Sequence, residues 1–165
     1  MNDLFYVSAA VAIISTFMVI TKQNAVHALL YLIVSLLAVA MVFLSLGAPF
    51  IAALEVIIYA GAIMVLFVFV IMMLNIGVGG TGQAEEEGKN VGAAAWVVPS
   101  ILTVILGAEL ICAFLRGGGQ VTGSVVVGAK QTGIALFGQY LLGVELASML
   151  LLSGLIGAYH LGRRS

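Results

Sequence analysis

The 165-residue chain is mostly apolar: hydrophobic residues make up 63% of it and charged residues only 8%. A water-soluble domain needs roughly 25–35% charged residues on its surface, so a soluble fold is excluded. The net charge is −1 at pH 7, and no basic patch of the kind that binds nucleic acid is present. A single cysteine cannot form an internal disulfide.

Five long apolar stretches account for most of the chain, and each approaches the roughly 20 residues that cross the hydrocarbon core of a bilayer as a helix. Lipid cannot satisfy exposed backbone groups, so continuous apolar runs of this length must be helical. We therefore predict an all-α, polytopic membrane protein surrounded largely by lipid. Its single membrane domain, 1–165, has five transmembrane helices at about 4–20, 25–46, 50–76, 91–115 and 133–161.

The charges near the span ends predict the orientation. One side of the membrane holds four cationic residues, Lys22, Lys89, Arg163 and Arg164. The other side holds two, Arg116 and Lys130. Cytoplasmic loops carry the excess of Lys and Arg, so the N-terminus is predicted outside and the C-terminus in the cytoplasm. The loop between spans four and five could also hold a short hairpin near 121–127.

Three carboxyl groups, Glu55, Glu109 and Glu145, fall inside predicted spans. An ionised carboxyl near the bilayer centre costs about 2.5–3.5 kcal/mol on insertion scales, so each needs a reason. No Lys or Arg lies within a span, so we expect their partners to be water, backbone atoms or another subunit. One interpretation is that the three carboxyl groups form a proton-exchange cluster or contact cations of a partner subunit. The alternative is that they are neutral carboxyls that orient the helices. Glu55 is the strongest functional candidate.

Span three contains a predicted weak point. Tyr59 is followed by Ala60, Gly61 and Ala62, and a glycine inside a helix weakens it by roughly 0.5–1 kcal/mol relative to alanine. Small residues in this position suit a helix that shifts register or carries a π-bulge, although close helix packing explains them equally well. With α-helical spacing, Glu55 and Tyr59 share one face with Ala62 and Leu66.

The residues of span three also resemble a known family. The string 53–75, with Glu55, Tyr59 and Gly61 in order, resembles the third helix of the J subunit of bacterial respiratory complex I. That enzyme is the proton-pumping NADH:quinone oxidoreductase, and the mitochondrial counterpart of the subunit is the sixth mitochondrially encoded membrane subunit. The strings 27–37 and 145–152 agree as well.

The resemblance implies a π-bulge around 59–65, whose straightening accompanies the working cycle. Phe67 and Met72 fall on the face that moves with it. The coupling and proton-path residues carried over are therefore Glu55, Tyr59, Gly61, Val65, Phe67 and Met72.

The resemblance also implies that the chain is a multi-pass subunit of the bacterial inner membrane with no redox chemistry of its own. NADH, FMN, iron–sulfur clusters and quinone would belong to other subunits. The implied partners are the small A- and K-type subunits, the quinone-site H-type subunit and the antiporter-like N-type subunit.

No catalytic, cofactor-binding or metal-binding residue is predicted in this chain. His27 and His160 lie near span ends without enough further ligands for a metal. Two other functions stay open from the residues, namely a component of a multisubunit cation/proton antiporter and a purely structural scaffold.

Overall fold

A computed structural model describes residues 2–22, 24–74, 94–115 and 126–163, and every regular element in these ranges is helical. The helices are α1 (Asn2–Thr21), α2 (Ala25–Ser45), α3 (Pro49–Leu54), a π-helix (Glu55–Ile63), α4 (Met64–Leu74), α5 (Ala94–Leu115), α6 (Ala129–Leu136) and α7 (Leu141–Gly162). We call the continuous run of α3, the π-helix and α4 helix three. The chain forms two compact units, Met1–Val126 with α1 to α5 and Val127–Ser165 with α6 and α7.

Five helices are long and apolar enough to cross a membrane, which confirms the predicted all-α polytopic class. They are Leu4–Thr21, Ala25–Ser45, Pro49–Met73, Trp96–Leu115 and Leu141–Gly162. The ends of the predicted third and fourth spans at 75–76 and 91–93, and most of the hairpin considered near 121–127, lie outside the described residues.

The predicted fifth span, 133–161, is two helices in the structure. The first helix, α6, ends at Leu136, a turn follows over 137–140, and α7 begins at Leu141. The amide of Tyr140 donates to the carbonyl of Ala135 at 3.1 Å, which closes the turn. The prediction merged the two helices because the stretch is largely apolar, and it underrated Gly138 and Gln139 as a turn signal.

The core of the first unit lies between α1, α2 and α5. Its buried members are Val11 of α1, Leu102 and Leu106 of α5, and four residues of α2, namely Tyr31, Val34, Ala38 and Met41. The small side chain of Ala38 is fully buried, as expected where helices approach closely in a membrane. The second helix is thus central, and helix three packs on it as well.

Local signals fix both ends of α2. At its start, Oδ1 of Asn24 accepts hydrogen bonds from the amides of Val26 and His27 at 3.0 and 3.4 Å, which satisfies two free donors. At its end, Gly47 has a φ of 80°. The amides of Gly47 and Ala48 donate back to the carbonyls of Leu44 and Phe43, which is the Schellman pattern.

We predict that Gly47→Ala destabilises the first unit by about 1 kcal/mol or more, because a Cβ is disfavoured in the left-handed region. Gly47→Asn should lose less, since Asn tolerates this backbone. The measurement is the midpoint of heat denaturation of the tagged protein in detergent extracts of its native membrane. Equal midpoints for the wild type and Gly47→Ala would show that this turn does not constrain the fold.

Candidate functional site

The candidate site is the π-helix of helix three, where the backbone hydrogen bonds change spacing. At its start the amide of Glu55 still reaches the carbonyl of Ile51, four residues back. At its end the amide of Met64 reaches the carbonyl of Tyr59, five residues back. A turn closed by an i→i+5 hydrogen bond contains one residue more than an α-turn. Relative to a regular α-helix, the chain therefore has one inserted residue between Glu55 and Met64.

The insertion explains which residues of helix three are buried. Ala52 and Met64 are the buried residues of this helix, with 8% and 2% of their surface exposed. In a regular α-helix two residues twelve apart would point about 120° away from each other. Because the π-turn takes up one residue, Ala52 and Met64 are oriented as if they were eleven residues apart. Their directions around the helix axis then differ by only about 20°. The π-helix therefore allows α3 and α4 to pack on α2 with the same face.

Gly61 lies close to a backbone carbonyl of the π-helix. A Cβ added to Gly61 would lie 3.1 Å from the carbonyl oxygen of Val56, which is a backbone atom of the same π-turn. This separation is shorter than ordinary van der Waals contact, so a residue with a Cβ here would require the carbonyl to shift by a few tenths of an ångström. Glycine avoids this shift.

The sequence-predicted residues divide between two segments. Glu55, Tyr59 and Gly61 lie in the π-helix. The other three, Val65, Phe67 and Met72, lie in α4 with 66%, 49% and 76% of their surfaces exposed. A π-helix in span three is confirmed, but it covers Glu55–Ile63 rather than the 59–65 that the resemblance implied.

The predicted common face of Glu55, Tyr59, Ala62 and Leu66 rests on 3.6 residues per turn. That spacing does not apply through the π-helix, because each π-turn holds an extra residue. From the insertion onward, side chains are turned by about 100° relative to the α-helical expectation. Ala62 and Leu66 therefore leave the face on which α-helical spacing put them with Glu55.

The three carboxyl groups have different surroundings. Glu55 is half-buried within the first unit, whereas Glu145 is exposed on α7. Glu109 of α5 accepts a hydrogen bond at Oε2 from the hydroxyl of Ser8 in α1, at 2.8 Å. The expectation that all partners would be water, backbone or another subunit is therefore wrong for Glu109. Ser8 went unnoticed because a single serine in an apolar run carries no signal of its partner.

A second polar contact ties α1 to α2. The hydroxyls of Thr16 and Ser35 lie 2.7 Å apart, and Ser35 also donates to the carbonyl of Ala12 at 3.3 Å. At the start of α2, the His27 ring meets the Trp96 ring of α5 edge-on, with centroids 6.0 Å apart. Nε2 of His27 is buried without a hydrogen-bond partner among the described residues.

The fold and this geometry define the class: a multi-pass helical membrane protein whose third span is interrupted by a π-helix. The family model for NADH-ubiquinone/plastoquinone oxidoreductase chain 6 matches residues 15–161. The chain therefore belongs to that family.

Similar proteins carry one description, NADH-quinone oxidoreductase subunit J. The protein of Pseudomonas aeruginosa is 56% identical over 165 residues, covering 99% of this chain and 98% of the relative. The protein of Escherichia coli K12 is 52% identical over 163 residues, covering 99% and 87%. The protein of Buchnera aphidicola from Schizaphis graminum is 47% identical over 163 residues, covering 99% and 98%.

We predict that Met64→Ala destabilises the packing of helix three on α2 by about 1–2 kcal/mol. The loss is smaller than in a soluble core because lipid solvates apolar groups as well as protein does. Met64→Leu keeps the volume and should cost less than about 1 kcal/mol. Heat denaturation in detergent extracts measures both, and equal losses for the two variants would contradict the burial of Met64.

Proposed function

We propose that this chain is a membrane-arm subunit of a proton-translocating NADH:quinone oxidoreductase, where it couples quinone reduction to proton pumping through register changes in helix three. Membership of the chain 6 family and the relatives described as subunit J support the assembly. The observation that carries the mechanism is the π-helix that holds Ala52 and Met64 on one face.

The proposed step is a change of hydrogen-bond partners. If the amide of Met64 exchanges the carbonyl of Tyr59 for that of Ala60, the insertion moves or disappears. The part of the helix beyond it then turns by about 100°, the rotation of one α-helical residue. Every backbone group keeps a partner, which lipid requires. The turn takes Met64 away from α2 and reorients Val65, Phe67 and Met72.

The burial of helix three is compatible with such motion. In an apolar 18-residue stretch of the span Pro49–Met73, 6% of the residues are buried within the chain, against 39% for the corresponding stretch of α2. Few internal contacts must therefore break when its second half rotates. The polar groups beside the moving segment are Glu55 and Tyr59, which we propose gate or line a hydrated proton path shared with other subunits.

This chain's share is structural coupling, without redox chemistry. NADH, FMN, iron–sulfur clusters and quinone belong to other subunits in this proposal. The chain carries three carboxyls in its spans and no Lys or Arg there, so it needs neighbours to complete a path across the bilayer. The proposed neighbours are the A-, K-, H- and N-type membrane subunits.

We predict that Gly61→Ala and, more strongly, Gly61→Leu reduce proton pumping and quinone reduction while the complex still assembles. In the π-helical state a Cβ at this position meets the carbonyl oxygen of Val56 at 3.1 Å, so both substitutions should bias the helix away from that state, and the larger side chain should do so more strongly. The measurement is NADH-driven proton uptake and quinone reductase rate in inverted membrane vesicles.

The matched control is Gly107→Ala, because a Cβ there has nothing within 4 Å. NADH oxidation by a water-soluble acceptor reports how much complex is present. Normal pumping and quinone reduction in Gly61→Leu would refute the register change. Glu55→Gln combined with Tyr59→Phe tests the scaffold alternative, which full activity of that variant would favour.

No structural observation favours the antiporter alternative, and the family and the relatives reported above are all described as oxidoreductases. Purification through a tag on this chain separates the two functions. Co-purifying flavin and iron–sulfur subunits support the oxidoreductase, and their absence supports an antiporter.

The proposed location is the bacterial inner membrane, with the N-terminus periplasmic and the C-terminus cytoplasmic. We predict that in a Cys112→Ser background an impermeant maleimide added to intact spheroplasts labels Lys130→Cys and leaves Lys22→Cys unlabelled. Both residues are exposed in the structure. Permeabilised cells should label both variants, and the reverse pattern in intact spheroplasts would invert the topology.

A further inference from the structure

The hydrogen bond between Ser8 and Glu109 joins two helices that are distant in the sequence, because its partners are 101 residues apart. Ser8 lies six residues after the start of α1 at Asn2, and Glu109 lies six residues before the end of α5 at Leu115. With a rise of about 1.5 Å per residue, both are about 9 Å from their helix ends. The contact therefore lies at equal depth in two antiparallel helices, inside the hydrocarbon region.

Each partner belongs to the buried face of its helix. On α1, Ser8, Val11 and Ser15 are spaced three and four apart, and each has at most 4% of its surface exposed. On α5, Leu102 and Leu106 are both 7% exposed, and Glu109 continues the same stripe one turn further. The carboxyl thus extends the packing face of α5 and points at α1, where the buried Ser8 hydroxyl meets it.

Apolar packing alone holds helices together weakly in lipid, because the lipid tails are as apolar as the side chains. A hydroxyl and a carboxyl that would otherwise lack partners in hydrocarbon therefore gain from meeting each other. From the position and burial of this pair, we infer that Ser8 and Glu109 form a polar latch that fixes α5 on α1. Glu109 is a positioning residue here, and it carries no protons in the working cycle.

The latch has a consequence for the first unit. Together with the Thr16–Ser35 contact, it ties α1, α2 and α5 into one frame through polar contacts. No such side-chain hydrogen bond joins helix three to this frame among the described residues. The latch does not require helix three to change register, so experiments can refute the latch and the register change independently.

The test compares Glu109→Gln with Glu109→Leu and Ser8→Ala in the intact membrane complex. Glutamine keeps an oxygen that accepts from Ser8 but cannot take up and release a proton at neutral pH. We expect Glu109→Gln to retain wild-type proton pumping and heat resistance. We expect Glu109→Leu and Ser8→Ala to lower the heat-denaturation midpoint to similar extents, and the double variant Ser8→Ala with Glu109→Leu to be no worse than either single change.

Ser148→Ala is the control, because the Ser148 hydroxyl donates to the carbonyl of Glu145 within its own helix. In a Cys112→Ser background, Ser8→Cys with Glu109→Cys should also cross-link on mild oxidation. The pair Ser8→Cys with Thr103→Cys measures random cross-linking, because Thr103 is an exposed position of α5 six residues before Glu109. Loss of pumping by Glu109→Gln at unchanged heat resistance would make Glu109 a proton carrier and overturn the inference. Additive losses in the Ser8→Ala, Glu109→Leu double variant would overturn it as well.

Discussion

The structure depends on a requirement of the bilayer: every backbone amide and carbonyl inside it must find a partner within the protein. Helix three meets this requirement with two different hydrogen-bond spacings. The amide of Glu55 donates to a carbonyl four residues back, and the amide of Met64 donates to one five residues back. The longer spacing gives α4 a rotation that a regular helix would lack. The burial of Ala52 and Met64 on one side follows from that rotation, and so does the contact of both halves of the helix with α2.

Within the first unit, the contacts among α1, α2 and α5 differ from those that hold helix three. Helices α1, α2 and α5 share a buried core and polar contacts between helices, so separating them would break several interactions at once. Helix three packs on α2 along its length, and it leaves most of its surface uncovered by this chain. The proposed coupling would use this exposed helix with its built-in insertion.

Much of this fold follows from the sequence, since the five spans are set by apolar length and the end of α2 by Gly47. The small-residue cluster at Gly61 pointed to the irregular part of helix three. Its true limits, Glu55–Ile63, depend on which face of α4 packs on α2, and no local pattern contains that information. The pairing of Ser8 with Glu109 was missed for the same reason, because it depends on how α1 and α5 meet. The break before Leu141 was missed although Gly138 and Gln139 marked it.

Helix three has two backbone states in the proposed mechanism, and the carbonyl that accepts from the Met64 amide distinguishes them. The measurement is a high-resolution structure of the assembled complex at rest and another during NADH-driven quinone reduction, each resolved well enough to assign the acceptor of the Met64 amide. We expect the carbonyl of Tyr59 to be the acceptor in one state and that of Ala60 in the other, with Met64 buried against α2 only in the first. An unchanged Tyr59 acceptor and an unmoved Met64 in both structures would contradict it.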